Sequence, residues 1–320
     1  RRTALKTGVS AVALGALGAP MVARHALGQS SFNWKRFSGQ KIDVLLVKNP
    51  RSDLMQAAEK EFTELTGIKV ESEQIPEQQQ RQKTVIEFTS GNPSFDITQI
   101  SLHVQKSLIG KGKWMLDLNP LLKDASMTDP ELAFSDFGKP SVDYSTQADG
   151  RMDTMPNNLD FWIVYYNKEI FEKKGLKAPQ THDDLVAAAK AIHDPKAGVY
   201  GFAGRGLKNA NVPVWTGLLH GWGADTLDPK DMSLKTTTDE AIAAATLYKE
   251  LLSKYAPEGV VGFNWNECQT AFMQGTVGIW YDGIGFATPL EDATKSKVVG
   301  KVGYIVTDRK STRLNSSHRT

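Results

Sequence analysis

The sequence predicts an α/β protein made of two similar halves, each with a mixed, largely parallel sheet flanked by helices. Patterns typical of strands and helices alternate as β-α-β-α-β-α over residues 41–109. A long stretch with few periodic signals follows, and from residue 161 the alternation begins again and continues to residue 306. Strands that alternate with helices favour parallel sheets covered by helices. A chain of 320 residues is long enough for two such halves.

In the first half, apolar periodicity and helix stop signals define three strands and three helices. The first helix begins at Ser52, carries an apolar stripe that starts with Leu54, and ends at Gly67. The pattern predicts strands at 41–47, 68–75 and 95–100, and helices at 52–66, 77–89 and 103–109.

The second half begins with the stretch around which the rest of the chain is arranged. Residues 161–166 are a continuous run of aromatic and β-branched residues, which is typical of a strand buried on both faces. Asp160 precedes the run, and its charge is hard to explain within an apolar segment. Asn167 can cap a helix at 168–174, which Gly175 ends. A polar hinge, an acid and an aromatic strand together favour a place where two lobes meet over a ligand.

The remaining elements of the second half follow from similar signals. Thr181 and Asp184 form a capping-box pattern at the start of one helix. The pattern predicts helices at 181–193, 211–220, 239–255 and 268–273, and strands at 199–203, 276–280 and 301–306.

The first 28 residues have the composition of an export signal. Arg1, Arg2 and Lys6 precede a run of small and apolar residues at 7–23. This run is short and glycine-rich for a membrane span but typical of the core of a signal peptide. The arginine pair and the residues after it resemble a twin-arginine export signal. We expect residues 1–28 to be the signal peptide, with cleavage near Gln29.

Residues 308–320 have no apolar period and abruptly follow a predicted strand. Over residues 308–318, eleven codons of a common sequencing-library adapter translate to the observed sequence. A basic disordered tail is the alternative interpretation. We therefore expect 308–320 to be a non-native, adapter-derived tail and the chain to be truncated after Thr307.

Charge, cysteine and histidine patterns exclude several classes of function. Residues 1–28 carry four basic and no acidic residues and 308–320 carry four basic and one acidic residue, so the formal net charge of +2 leaves −5 for residues 29–307. No nucleic-acid partner is therefore inferred. Cys268 alone supports neither an internal disulfide nor a cysteine zinc site, and the six histidines lack metal-ligand spacing. The glycine-rich segment 201–206 lacks the spacing of a phosphate loop and predicts a flexible loop.

Polar and aromatic residues at strand ends are the candidate binding residues, because α/β sheets bind ligands at the carboxyl ends of their strands. Asn49 and His103 follow strands of the first half, and Asp282 and Gly283 end a strand of the second half. Sugar sites combine an aromatic platform with carboxylates and amides. Trp215 lies beside polar residues and fits such a platform and core packing equally well.

Two interpretations of the acidic and aromatic residues stay open at this point. Asp160 and Asp282 could form the carboxylate pair of a glycoside hydrolase. A binding site for sugars also uses acids, and nothing else in the sequence requires an enzyme. Trp162 and Trp280 lie inside predicted strands, which favours core packing for both.

Four motifs occur in a characteristic order. Residues 59–70 (EKEFTELTGIKV) and 90–97 (SGNPSFDI) lie in the first half, 165–175 (YYNKEIFEKKG) follow the central strand, and 271–283 (AFMQGTVGIWYDG) lie in the second half. In this order they resemble the extracellular solute-binding proteins of sugar ABC transporters, the family of the maltose-binding protein. The resemblance covers most of residues 41–306.

The resemblance implies a two-lobed periplasmic-binding-protein fold of class II-like type, which closes around a ligand in a cleft between the lobes. It implies a first lobe at 29–157, a second lobe at 158–299 and the start of a return to the first lobe at 300–307. The implied function is to deliver a carbohydrate to the permease components of an ABC importer, without catalysis. The protein would act in the periplasm, as a monomer without a cofactor. A small sugar, polyol or glycoside fits as well as a maltodextrin.

The resemblance also places Asp160 where relatives have a carboxylate that hydrogen-bonds sugar hydroxyls. The expected ligand-binding residues are Asn49, Ser101, His103, Asn158, Asp160, Trp215, Asp282 and Gly283. The alternatives are a secreted glycoside-active enzyme, or the same fold with polyamine, glycerol phosphate or iron as its ligand. Tyr165 and Tyr166 are the residues that hint at iron as the ligand.

Overall fold

The computed structural model describes residues 32–158 and 160–306. The chain divides into two compact units, one up to Asn157 and one from Asn158. Each unit contains a sheet flanked by helices, which confirms the predicted α/β class. The expected signal peptide at 1–28 and the expected tail at 308–320 lie outside the described residues.

In the first unit, three parallel strands form a sheet in the order β2-β1-β3. The third strand is much shorter than predicted and has two residues. The elements are β1 (Lys41–Val47), α1 (Pro50–Thr66), β2 (Lys69–Ile75), α2 (Glu77–Ser90), β3 (Ile97–Thr98), α3 (Leu102–Gly112), α4 (Asn119–Lys123) and α5 (Lys139–Ser145).

Helix α1 shows which sequence signals act locally. The side chain of Asn49 accepts hydrogen bonds from the first amides of the helix, and Gly67 ends it at a φ of 72°. The predicted apolar stripe is wrong at Leu54, whose side chain is 69% exposed. The contact between α1 and the sheet is partly polar instead, since Gln56 Nε2 donates to Ser72 Oγ of β2 over 2.7 Å.

In the second unit, four strands form a mixed sheet in the order β5-β6-β4-β7. Strands β5 and β6 are parallel, whereas β4 is antiparallel to both β6 and β7. The elements are β4 (Trp162–Asn167), α6 (Lys168–Lys173), α7 (His182–Ile192), β5 (Tyr200–Ala203), α8 (Val212–Gly221), α9 (Asp239–Tyr255), α10 (Trp265–Met273), β6 (Val277–Gly283) and β7 (Val302–Ile305).

Strand β7 lies at the edge of this sheet. It pairs with β4, with Val164 opposite Ile305 and Asn167 opposite Val302. Backbone hydrogen bonds to β4 therefore hold this strand in the sheet of the second unit. The expected start of a return to the first lobe at 300–307 stays a prediction.

Strands β4 and β6 divide the core of the second unit into two layers. Val164 and Ile279 belong to a hydrophobic cluster on one face of the sheet, and Tyr165 and Trp280 belong to a cluster on the other face. Successive side chains of a strand point to opposite faces, so a strand buried on both sides is apolar at most positions. The prediction of a doubly buried strand is confirmed for β4, while Phe161 lies outside it and is 56% exposed.

We expect Gly201→Ala to destabilise the second unit. A Cβ atom at this position in β5 would lie 1.9 Å from the carbonyl oxygen of Ala189 in α7, so the strand and the helix would have to separate. The free energy of unfolding should fall by about 1–3 kcal/mol, as for other overpacked cores. Urea denaturation followed by circular dichroism measures the change. Gly262→Ala is the matched control, because nothing lies within 4 Å of its Cβ position; equal losses in both variants would contradict the close approach.

Candidate functional site

Asp160 is an exposed acid held in place by backbone amides. Its Oδ1 accepts hydrogen bonds from the backbone N–H of Phe161 and of Gly285, each over 3.1 Å. Both donors belong to the second unit and lie where β4 begins and β6 ends. The amides orient one carboxylate oxygen, while the residue as a whole stays exposed to solvent.

Gly283 forms the surface against which this carboxylate lies. A Cβ atom at Gly283 would lie 2.5 Å from Asp160 Oδ2, so the position has no room for a side chain. The backbone of Gly283 is fixed from the other side, because the hydroxyl of Tyr165 donates to its carbonyl oxygen over 2.5 Å. Gly283 also stands opposite Trp162 in the strand register. The structure thus brings Asp160 and Gly283 together, as the sequence predicted for residues of one site.

Asp282, the neighbouring acid and another expected ligand-binding residue, is not exposed. Its side chain is fully buried and forms a bidentate ion pair with Arg205. Arg205 Nε lies 2.9 Å from Oδ2, and Nη2 lies 2.5 Å from Oδ1. The backbone N–H of Gly283 and the indole N–H of Trp280 donate to the same carboxylate. Burial raises the pKa of Asp282, and Arg205 with these donors acts in the opposite direction. Asp282 is therefore saturated by protein donors.

Aromatic rings enclose the guanidinium of Arg205. Its central carbon lies 5.0 Å from the ring centroid of Trp162 and 5.6 Å from that of Phe286. Trp265 stacks on Phe286 with the centroids 4.8 Å apart and the planes 11° apart. Trp162 is partly buried and packs against the hydrophobic core cluster, as expected, with its ring centroid 5.8 Å from that of Tyr281.

The other predicted residues of the second unit lie close by in the fold or next to Asp160 in sequence. Trp215 is half-buried on α8 and packs against the hydrophobic cluster that contains Tyr281. The hydroxyl of Tyr281 lies 2.3 Å from the position that a Cβ atom of Gly217 would occupy, which sets α8 close to β6. Asn158 is exposed.

The three predicted residues of the first unit lie at the carboxyl edge of its sheet, as expected. Asn49 caps α1, and its Nδ2 donates to the carbonyl of Val47 over 3.0 Å, so its amide is used within the fold. Ser101 is half-buried and its Oγ lies 3.4 Å from Glu77 Oε1. His103 is exposed in the first turn of α3. Of the three, Asn49 has a clear structural task.

Sequence reasoning missed Arg205, which lies in a segment interpreted as a flexible loop. The residue is only 6% exposed. A Cβ atom at Gly206 would lie 2.1 Å from the carbonyl oxygen of Val260, so the glycine lets the segment pack tightly against another part of the backbone. An arginine between two glycines after a strand was the available signal, because glycine permits close backbone approach as well as flexibility.

A cavity of about 410 Å³ lies elsewhere in the second unit. Its lining includes Asn167, Glu169, Lys173 and Lys301, and none of the predicted site residues. Asn167 is the last residue of β4, whereas Asp160 precedes the first. The cavity and the Asp160 site are therefore at opposite ends of this strand.

Two further observations describe the part of the chain that the structure covers. Within residues 32–158 and 160–306, no three or more His, Cys, Asp or Glu side chains are grouped so that they could hold a metal ion. No helix in these ranges has the length and apolar character needed to cross a bilayer.

Comparison with known proteins identifies relatives along nearly the whole chain. A family model described as bacterial extracellular solute-binding protein matches residues 48–312. The erythritol/L-threitol-binding protein of Mycolicibacterium smegmatis is 27% identical over 304 residues, which are 91% of this chain and 63% of that protein.

Solved structures show the same likeness. A solute-binding protein of Agrobacterium radiobacter in complex with ribitol has a TM-score of 0.75 and 25% identity, covering 83% of this chain and 66% of that one. A solute-binding protein of Agrobacterium vitis with bound D-mannitol has a TM-score of 0.73 and 26% identity, covering 83% and 63%. These similarities confirm the two-lobed solute-binding fold. The chain spans less than two thirds of the length of each of these three proteins.

We expect Asp282→Ala to lower the free energy of unfolding by about 3–5 kcal/mol, because it leaves a buried guanidinium without its counter-charge. Asp143→Ala removes an exposed carboxylate paired with Lys139 at 2.6 Å and should cost less than about 1 kcal/mol. Thermal or urea denaturation of the two variants makes the comparison. A loss at Asp282 as small as that at Asp143 would show that the buried pair does not stabilise the unit.

Proposed function

Because the chain belongs to the family of bacterial extracellular solute-binding proteins, we propose that it captures a small polyol or a related carbohydrate for an ABC importer. The observation that supports this most directly is the exposed Asp160 carboxylate, fixed by two backbone amides and followed two residues later by the half-buried Trp162. An oriented acceptor next to an aromatic surface suits a ligand with many hydroxyls and an apolar carbon face.

The ligands of three related proteins favour linear polyols within the broad class of carbohydrates. Of the three related proteins, one is an erythritol/L-threitol-binding protein and the other two were solved with ribitol and with D-mannitol. These ligands are uncharged chains with a hydroxyl on every carbon. A carboxylate can accept hydrogen bonds from two neighbouring hydroxyls, and a hydrogen bond to a charged group is stronger than one between neutral groups.

Several of the expected residues complete this proposal. We assign the aromatic surface to Trp162 together with Trp215, whose indole Nε1 is buried and has no acceptor within the described residues. His103 and Ser101 of the first unit are proposed to contribute further polar contacts. Asn158 is proposed as a residue beside the acid.

The partners and location also belong to the proposal. The protein would present its ligand to the permease components of an ABC importer, outside the inner membrane in the periplasm. We propose that it acts as a monomer and binds no nucleic acid, consistent with the net charge of −5 over residues 29–307.

Two alternatives lose support from the geometry. A hydrolase using Asp160 and Asp282 needs both carboxylates to reach substrate or water, and Asp282 is fully buried and paired with Arg205. An iron site using Tyr165 would need an accessible phenolate. Tyr165 is buried, and burial raises the pKa of its hydroxyl. Incubating the protein with glycosides and measuring released sugar separates a binding protein from an enzyme, since only an enzyme forms product.

We expect Asp160→Asn to weaken binding of D-mannitol, ribitol or erythritol without unfolding the protein. Loss of a charged acceptor removes about 1.5–3 kcal/mol, which is roughly a 10- to 100-fold rise in Kd. Isothermal titration calorimetry measures Kd, and circular dichroism checks the fold. Asp225→Asn is the control, an exposed acid of the same unit whose Oδ1 accepts from Thr226. An Asp160→Asn variant with the parental Kd would remove this acid from the site.

A further inference from the structure

The guanidinium of Arg205 is buried and held by several contacts. It forms a bidentate ion pair with Asp282, and its central carbon lies over the rings of Trp162 and Phe286. The hydroxyl of Tyr248 donates to its backbone carbonyl, which fixes the main chain as well. Arginine can form a bidentate ion pair and contact aromatic rings at the same time. Lysine cannot form the bidentate pair, because its ammonium is a single flexible point charge.

The contacts of this guanidinium lead by short steps to the exposed acid. Asp282 Oδ1 accepts from the backbone N–H of Gly283 over 2.7 Å, which ties the end of β6 to the ion pair. Gly283 in turn lies in direct contact with the carboxylate of Asp160. Gly285, two residues later, donates its N–H to that carboxylate. The position of the 283–285 backbone therefore decides where the Asp160 oxygens lie.

We infer that Arg205 is a positioning residue for the ligand site, which sets the Asp160 carboxylate through Asp282 and Gly283 and holds the indole of Trp162. The inference rests on the proposed function, because it assumes that Asp160 binds the ligand. Arg205 itself is buried and acts through these neighbours. The positioning of Asp160 and of the Trp162 indole can be tested separately from stability. A lysine at position 205 keeps the buried charge but loses the bidentate ion pair and the contact of the guanidinium with the rings.

The test compares Arg205→Lys with the parent chain, using D-mannitol, ribitol and erythritol as probes in calorimetry. We expect the Kd of any bound probe to rise at least about 10-fold in folded protein. Arg151→Lys is the control for the substitution itself, made at an arginine of the first unit that pairs with Asp149. Leu185→Ala is the control for lost stability, because it destabilises the core of the second unit. Both control variants should retain the parental Kd.

A double-mutant cycle tests the route through the acid. If Arg205 acts through Asp160, the fold-change in Kd caused by Arg205→Lys should be at least about threefold smaller in an Asp160→Asn background, since contacting groups are not additive. If Arg205→Lys does not fold, the variant Arg205→Met with Asp282→Leu replaces the buried pair by apolar side chains that retain stability in comparable sites. The same loss of affinity is then expected, with the same cycle.

Each outcome decides a different claim. A parental Kd in folded Arg205→Lys, or equal fold-changes in both backgrounds, would overturn the positioning role while leaving the polyol site in place. A parent chain that binds none of the three probes would overturn the proposed polyol function and this inference with it. A raised Kd in Leu185→Ala equal to that in Arg205→Lys would show a general effect of lost stability and would also overturn the role.

Discussion

A buried charge must be paired and hydrogen-bonded, and this requirement organises the second unit around Arg205 and Asp282. The carboxylate receives both bonds of the guanidinium, a backbone N–H and an indole N–H. Removing either partner would leave an ion in a medium of low polarity, where solvation is lost at a cost of several kcal/mol. The segment after β5 and the end of β6 are therefore held at a fixed separation. The positions of Gly283 and Gly285 at the end of β6 therefore depend on this ion pair.

Strand β4 carries the constraint across the sheet. It pairs with β6 on one side and β7 on the other, so its register is set by two partners. A shift by one residue would exchange the side chains of the two core layers, placing Tyr165 where Val164 now packs. The register also places Trp162 opposite Gly283, and so brings the start of β4 beside the end of β6. Asp160, two residues before β4, therefore contacts the backbone at Gly285, just after the strand end that the ion pair holds.

Local signals in the sequence were sufficient for most elements but not for the site. Gly67, Asn167 and the capping box at Thr181 act through the backbone nearest to them, and the structure contains each cap. The roles of Arg205 and Asp282 depend on a contact between residues 77 positions apart. No periodicity reports such a contact, and an acid at a strand end is predicted to be exposed until its partner is known.

The length of β3 and the exposure of Leu54 have the same origin. Whether a strand extends or an apolar side chain is buried depends on what packs against it, and the pattern of one segment carries no information about the opposite surface. By contrast, the doubly buried strand β4 could be predicted. Burial on both faces favours a nearly continuous apolar run, which is visible in the sequence of the segment itself. The candidate ligand residues were predicted with mixed success. Asp160 and Gly283 lie next to each other in the fold, whereas the side chain of Asn49 caps α1.

The contrast between two neighbouring acids explains how one of them can serve a ligand. Asp282 is neutralised by a cation and has each oxygen satisfied by protein donors, so it has little left to offer. Asp160 is oriented by the amides of Phe161 and Gly285. These amide dipoles fix one carboxylate oxygen, and the residue remains exposed to solvent. In the function proposed above, a polyol hydroxyl would meet an acceptor whose geometry has been set in advance, which lowers the entropy lost on binding. The buried pair would then contribute to recognition by keeping the backbone at this site in place, and the exposed acid would contribute the contact.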